Sequence, residues 1–113
     1  MTVNGVSGNF ILDTGASYVS VTAPFSAKAK INTNTAAQLP IKTVGGTVQA
    51  ELGSAATVAV GGAEARNVVV AVIRGAHDPF GARIDGLLGM SFLARFNVHL
   101  LPNRIELTAA EFR

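Results

Sequence analysis

Apolar and polar positions alternate strictly from Tyr18 to Thr22, where Val19 and Val21 stand against Tyr18, Ser20 and Thr22, and this predicts a strand with two distinct faces. Val68 to Ile73 is apolar without a break and predicts a strand buried on both sides. Asn4-Gly5 readily takes the positive φ angles of a tight turn, so it should join a strand ending at Val3 to one running from Val6 to Leu12. From Leu39 to Ile73 the pattern is that of two consecutive hairpins. Gly45-Gly46 and Gly61-Gly62 mark the turns, a long strand from Thr47 to Val60 lies between them, and Gly53 reads as a bulge or bend. Ile84 to Leu88 predicts another buried strand, and Pro102-Asn103 closes a final hairpin between Phe96–Leu101 and Arg104–Leu107.

Helical signals are few. Thr22 and Pro24 look like a hydroxyl cap followed by an early proline, but the segment to Lys30 allows one or two turns at most. Ser91 to Arg95 reads as a short helix packing Phe92 and Leu93 inward. Ile31 to Gln38 is polar and without period, which predicts a connecting loop, and Arg74 to Arg83, with Gly75, Pro79 and Gly81, predicts a surface loop. The expected fold is all-β, a closed barrel-like lobe with one short C-terminal helix.

Composition narrows the function. With 49% apolar and 14% charged residues in 113, the chain can bury one core but not two, so residues 1–113 read as a single domain. The basic residues Lys28, Lys30, Arg66, Arg74, Arg83 and Arg95 form no run or stripe that would track phosphates, which argues against a nucleic-acid partner. There is no cysteine, so disulfides and thiolate metal sites are excluded while the compartment stays open. His77 and His99 stand apart from each other and from any acid at ligand spacing, so neither a metal nor another cofactor is implied. Met1 opens almost directly onto a strand-and-turn pattern. That points to an upstream strand or anchor, through which a membrane or periplasmic location would arise.

One local arrangement carries chemistry. Phe10-Ile11-Leu12 delivers Asp13 into the tight turn Asp13-Thr14-Gly15-Ala16-Ser17, where Gly15 lets the main chain approach the carboxylate and the Thr14 hydroxyl can both donate and accept. An Asp-Thr-Gly triplet alone is weak, since an ordinary Asx turn looks the same. Far downstream, however, Ile84-Asp85-Gly86-Leu87-Leu88-Gly89-Met90 supplies a second element in the right order, with a Gly-rich hairpin between the two.

Together these resemble the active-site signature and the apolar-apolar-Gly element of the retropepsin-like aspartic proteases. The similarity extends through Gly89-Met90-Ser91-Phe92-Leu93, spans Val3 to Leu107, and is closest to the small bacterial single-lobe members. The resemblance implies an endopeptidase without cofactor, acting on a peptide or protein substrate, with Asp13, Thr14 and Gly15 as the catalytic turn. Such chemistry needs two carboxylates sharing one proton around a water. Asp85 and Asp78 do not reproduce the turn, so the second carboxylate is expected from a homodimer's other Asp13. By the same resemblance the two Thr14 hydroxyls bond across the dimer, and Gly45, Gly46 and Thr47 form a flap that binds substrate through its backbone. Ala16 stands where many two-lobed relatives carry a hydroxyl that donates to the ionised carboxylate, so activity is expected at mildly rather than strongly acid pH. The rival reading is a non-catalytic dimerisation or peptide-binding module with the same fold.

Asp85 reads as structural, with Arg95 or backbone N–H groups as its partner. Ser91 lies in Gly-Met-Ser-Phe-Leu rather than a nucleophile elbow, and Ser17 reads as part of the active-site turn.

Overall fold

The computed structural model describes residues 1–43, 46–75 and 77–109. Among these residues ten strands and two short helices follow one another as β1 (Thr2–Val3), β2 (Val6–Ser7), β3 (Phe10–Leu12), β4 (Val19–Thr22), α1 (Ala23–Lys28), β5 (Asn32–Thr43), β6 (Gly46–Val60), β7 (Ala63–Ile73), β8 (Gly86–Leu88), α2 (Met90–Leu93), β9 (Phe96–Leu101) and β10 (Arg104–Ala109). Eight strands form one sheet in the order β2-β1-β6-β7-β4-β8-β3, with β5 also paired to β6. β9 and β10 make a separate two-stranded sheet. The sheet curls into a half-barrel with β2 and β3 at the two ends of its ladder, so among the described residues the expected closure is shown in part.

The turn chemistry acts where it was expected. Val3 pairs with Val6 across Asn4-Gly5, whose φ angles of 51° and 80° are those of a primed hairpin turn. Val60 pairs with Ala63 across Gly61-Gly62, and Leu101 with Arg104 across Pro102-Asn103. The Thr22 hydroxyl accepts from the Phe25 N–H at 3.2 Å with Pro24 in the first turn, so α1 starts as the sequence indicates.

Four expectations are corrected. The strand from Val6 to Leu12 breaks at Gly8-Asn9, because its first half pairs with β1 and its second with β8. Residues 32–38 belong to strand β5 rather than to a loop, with the register against β6 shifting between Asn34 and Gln38. An edge strand interrupted by a bulge shows no apolar alternation, which hid it. Gly53 is not itself the bulge. It faces the Asn32 carbonyl so closely that a Cβ would lie 2.2 Å from that oxygen. Finally, Val69 is 39% exposed within the otherwise buried run of β7.

The core has two parts, one on each side of the sheet. Val19, Val21, Val58, Val68, Val70, Val72, Leu88, Phe92 and Leu93 are buried together with Phe25 of α1, and Phe10 meets Phe25 edge-on at 5.3 Å. On the other side Ala50, Ala71, Ile73 and Phe80 form a smaller cluster joined by Tyr18, Ile41, Leu52 and Leu87. Because β4 is covered on both faces, Ser20 is buried as well, and its hydroxyl donates to the Tyr18 carbonyl at 3.2 Å. β4 therefore buries Val19, Ser20 and Val21 alike.

Candidate active site

β3 and β4 enclose the Asp13 turn, yet they are not paired to each other. β8, from far downstream, lies between them, parallel to β3 through Phe10↔Gly86 and Leu12↔Leu88 and antiparallel to β4 through Ser20↔Leu87 and Val21↔Gly86. Only a residue without a side chain fits between the two neighbours at that point. A Cβ on Gly86 would stand 1.9 Å from the Ser20 carbonyl oxygen and 2.6 Å from the Phe10 ring. Gly89 plays the same part at the other end of β8, where a Cβ would lie 2.2 Å from the Tyr18 carbonyl oxygen. The two glycines of the downstream motif thus let a third strand enter the gap and clamp both ends of the turn.

Within the turn, the Asp13 N–H donates to the Leu88 carbonyl at 3.0 Å, and the Ala16 N–H returns to the Asp13 carbonyl at 3.1 Å. The Gly15 N–H donates to Asp13 Oδ1 at 2.9 Å, and the Met90 N–H donates to the Ala16 carbonyl at 2.8 Å. Asp13 is half-buried, while Thr14 and Gly15 are exposed. The carboxylate is thus oriented by the backbone at the edge of the protein, and the next residue, Thr14, is exposed at the surface.

Beside Asp13 lies a cleft of about 270 Å³, lined by Gly15, Ala16, Ser17, Tyr18 and Ser20 from the turn and β4, by Leu39, Pro40 and Ile41 from β5, and by Leu87 from β8. The sequence reading placed substrate contacts at Gly45, Gly46 and Thr47 instead. Gly46 and Thr47 begin β6 and are exposed outside this lining, and Gly45 lies outside the described residues. The wall formed by Leu39-Pro40-Ile41 was not anticipated. The signal available for it was an apolar triplet at the start of a glycine-tipped hairpin. A larger hollow of about 490 Å³, between the Gly61-Gly62 turn and the β9–β10 hairpin, shares no lining residue with the Asp13 cleft and contains no part of the motif.

Asp85 is held by the backbone. Its Oδ2 accepts from the Asn9 N–H at 2.8 Å, one of the two partners foreseen for it, while Arg95 binds the carbonyls of Arg66 and Asn67. Asp85 is level with Asn9 and Asp13 follows Leu12, so the two acids stand about four residues apart along parallel strands, roughly 13 Å. His77 and His99 are exposed, 3.3 Å from Asp78 and 3.7 Å from Glu106 respectively. Among the described residues no helix is long and apolar enough to cross a membrane.

Residues 1–92 match the family model described as aspartyl protease. Among solved structures, the chain is similar to a retropepsin-like aspartic protease from Rickettsia conorii, with a TM-score of 0.66 and 28% identity over 96% of this chain and 79% of that one. No curated protein matches it significantly.

Proposed function

The chain belongs to the aspartyl protease family, with a retropepsin-like fold, and from that premise we propose that it is an endopeptidase whose active form is a homodimer joined across the Asp13 turns. The observation that carries the proposal is the turn itself. One backbone-oriented carboxylate sits at the protein's edge beside a substrate-sized cleft, and the nearest acid of the downstream motif is already engaged elsewhere. A two-fold axis beside Asp13 and Thr14 supplies the missing carboxylate from an identical surface.

In the proposed reaction the two Asp13 carboxyl groups hold one proton and one water between them. The ionised carboxylate takes a proton from the water as its oxygen bonds to the scissile carbonyl carbon, and the protonated carboxyl donates to the carbonyl oxygen. Collapse of the tetrahedral intermediate breaks the C–N bond as one carboxyl passes its proton to the leaving nitrogen and the other carboxylate takes a hydroxyl proton from the intermediate. The dyad then returns to its singly protonated state. The Thr14 hydroxyls bridge the two turns. An extended peptide lies in the cleft against Tyr18, Leu39, Pro40, Ile41 and Leu87, and the β5–β6 arm, where Gly46 and Thr47 pair with Thr43 and Lys42, closes over it as a further strand.

Two measurements test this reading. Specific activity on a peptide library should fall as the protein is diluted, in step with loss of dimer by sedimentation, because the monomer holds half a site. Activity that stays constant per chain while the protein sediments as a monomer would end the dimer proposal. The Ala16 methyl brings no donor to the cleft, so the pH profile should peak in mild acid. A maximum in strong acid counts against that assignment.

A further inference from the structure

We propose that Ser91 is a positioning residue for the Asp13 turn, acting as a hydroxyl wedge between strands β4 and β7. Ser91 Oγ accepts from the Val19 N–H at 2.8 Å and donates to the Val69 carbonyl at 2.7 Å. β4 and β7 run parallel with Val19 opposite Val70, a register that turns the Val19 N–H and the Val69 carbonyl toward each other at the start of the ladder. The hydroxyl stands between those two groups and satisfies both. It fixes the separation of the strands at the first residue of β4, where the chain leaves the active-site turn.

The neighbouring contacts carry that spacing to the reacting end. Ser91 lies two residues after Gly89, whose missing side chain lets the Tyr18 carbonyl approach, and one after Met90, whose N–H holds the Ala16 carbonyl. Three successive residues at the start of α2 therefore contact the backbone at Ala16, Tyr18 and Val19. Ala16 and Tyr18 line the cleft, and the Ala16 N–H closes the turn on the Asp13 carbonyl. Ser91 does not line the cleft, so its effect on peptide cleavage passes through these backbone groups. A serine is suited to this because its hydroxyl accepts and donates at once in the space of one atom. An alanine at this position leaves a backbone N–H and a carbonyl facing each other across a gap that one hydroxyl oxygen had filled, and the strands draw together or admit water.

The effect on catalysis rests on the protease reading, whereas the wedge itself does not. Ser91→Ala and Ser91→Thr are compared with the wild-type chain by peptide-cleavage kinetics and by amide hydrogen exchange with backbone chemical shifts. In Ser91→Ala, kcat should fall about tenfold with KM within about twofold. Exchange at the Val19 amide should quicken at least tenfold, and shifts should change across residues 13–19. Ser91→Thr, which keeps the hydroxyl, should restore all three. An Ser91→Ala chain that melts at a lower temperature but keeps wild-type kcat would reduce Ser91 to a structural role and overturn the proposal. So would unchanged Val19 exchange. If the wild-type chain cleaves no peptide, the protease reading fails, and the exchange and shift data still decide the wedge: changes confined to α2 overturn it, and changes reaching Asp13 support it.

Discussion

Asp13→Asn is expected to lower peptide cleavage by about a thousandfold or more, because it removes at once the general base and the acid of the proposed symmetric dyad. The substitution is nearly isosteric, and the amide oxygen can still accept from the Gly15 N–H that now reaches Oδ1 at 2.9 Å. The fold and the dimer should therefore persist, with circular dichroism and sedimentation unchanged, and the loss should lie in chemistry alone. The proposed two-fold site adds a sharper form of the test. Mixed with an equal amount of Asp13→Asn chain and allowed to exchange, about a quarter of all dimers should carry both carboxylates, half the number the wild type forms alone, and total activity should fall to about half. An Asp13→Asn chain that still cleaves peptides would remove Asp13 from the mechanism. A chain whose biological role survives the substitution would instead be the non-catalytic relative.

The second large effect is on stability. Gly86→Ala should cost about 3 kcal/mol or more, at the upper end of what overpacking a close contact produces, against a total stability of only about 5–15 kcal/mol for a typical domain. Its Cβ would overlap the Ser20 carbonyl on one neighbouring strand and the Phe10 ring on the other. One of these is backbone and has no rotamer in which to move aside. Gly62→Ala is the matched control, since nothing lies within 4 Å of its added Cβ, and it should stay within about 0.5 kcal/mol of wild type. Urea denaturation of the three proteins measures the difference, and a Gly86→Ala midpoint equal to wild type would refute the wedged-strand account. Any folded Gly86→Ala fraction should also lose activity, because β8 holds both ends of the Asp13 turn.

The site was legible in the sequence wherever its geometry is local. Asp13, Thr14 and Gly15 form one turn, and the bond from the Gly15 N–H to the Asp13 carboxylate spans two residues, so residue order alone specifies it. Gly86 and Gly89 were recognised as a motif, but the reason for them lies in Ser20, Phe10 and Tyr18, which reach them only through the sheet. Leu39, Pro40 and Ile41 were missed as cleft wall because β5 acquires its place by pairing with β6, and the polar stretch before Leu39 disguised it as a loop. Ser91 was set aside for lacking a nucleophile's context. Its bonds run to Val19 and Val69, 72 and 22 residues away, and no periodicity in the chain announces them. Local chemistry reads directly from residue order, whereas the supports of that chemistry are long-range and need the fold.

The insertion of β8 between β3 and β4 also sets an order of events. Asp85 and Asn9, which exchange bonds at the start of this insertion, are 76 residues apart. During synthesis Asp13 is therefore made early but has no clamped turn until the chain has extended past Gly89 and brought Leu88 back beside it. Contacts so distant in sequence form slowly, after the local hairpins of β1–β2 and β6–β7. A chain that has not yet reached Gly89 has its acid but neither the clamped turn nor the Leu87 wall of the cleft, so the proposed activity waits on the entry of β8.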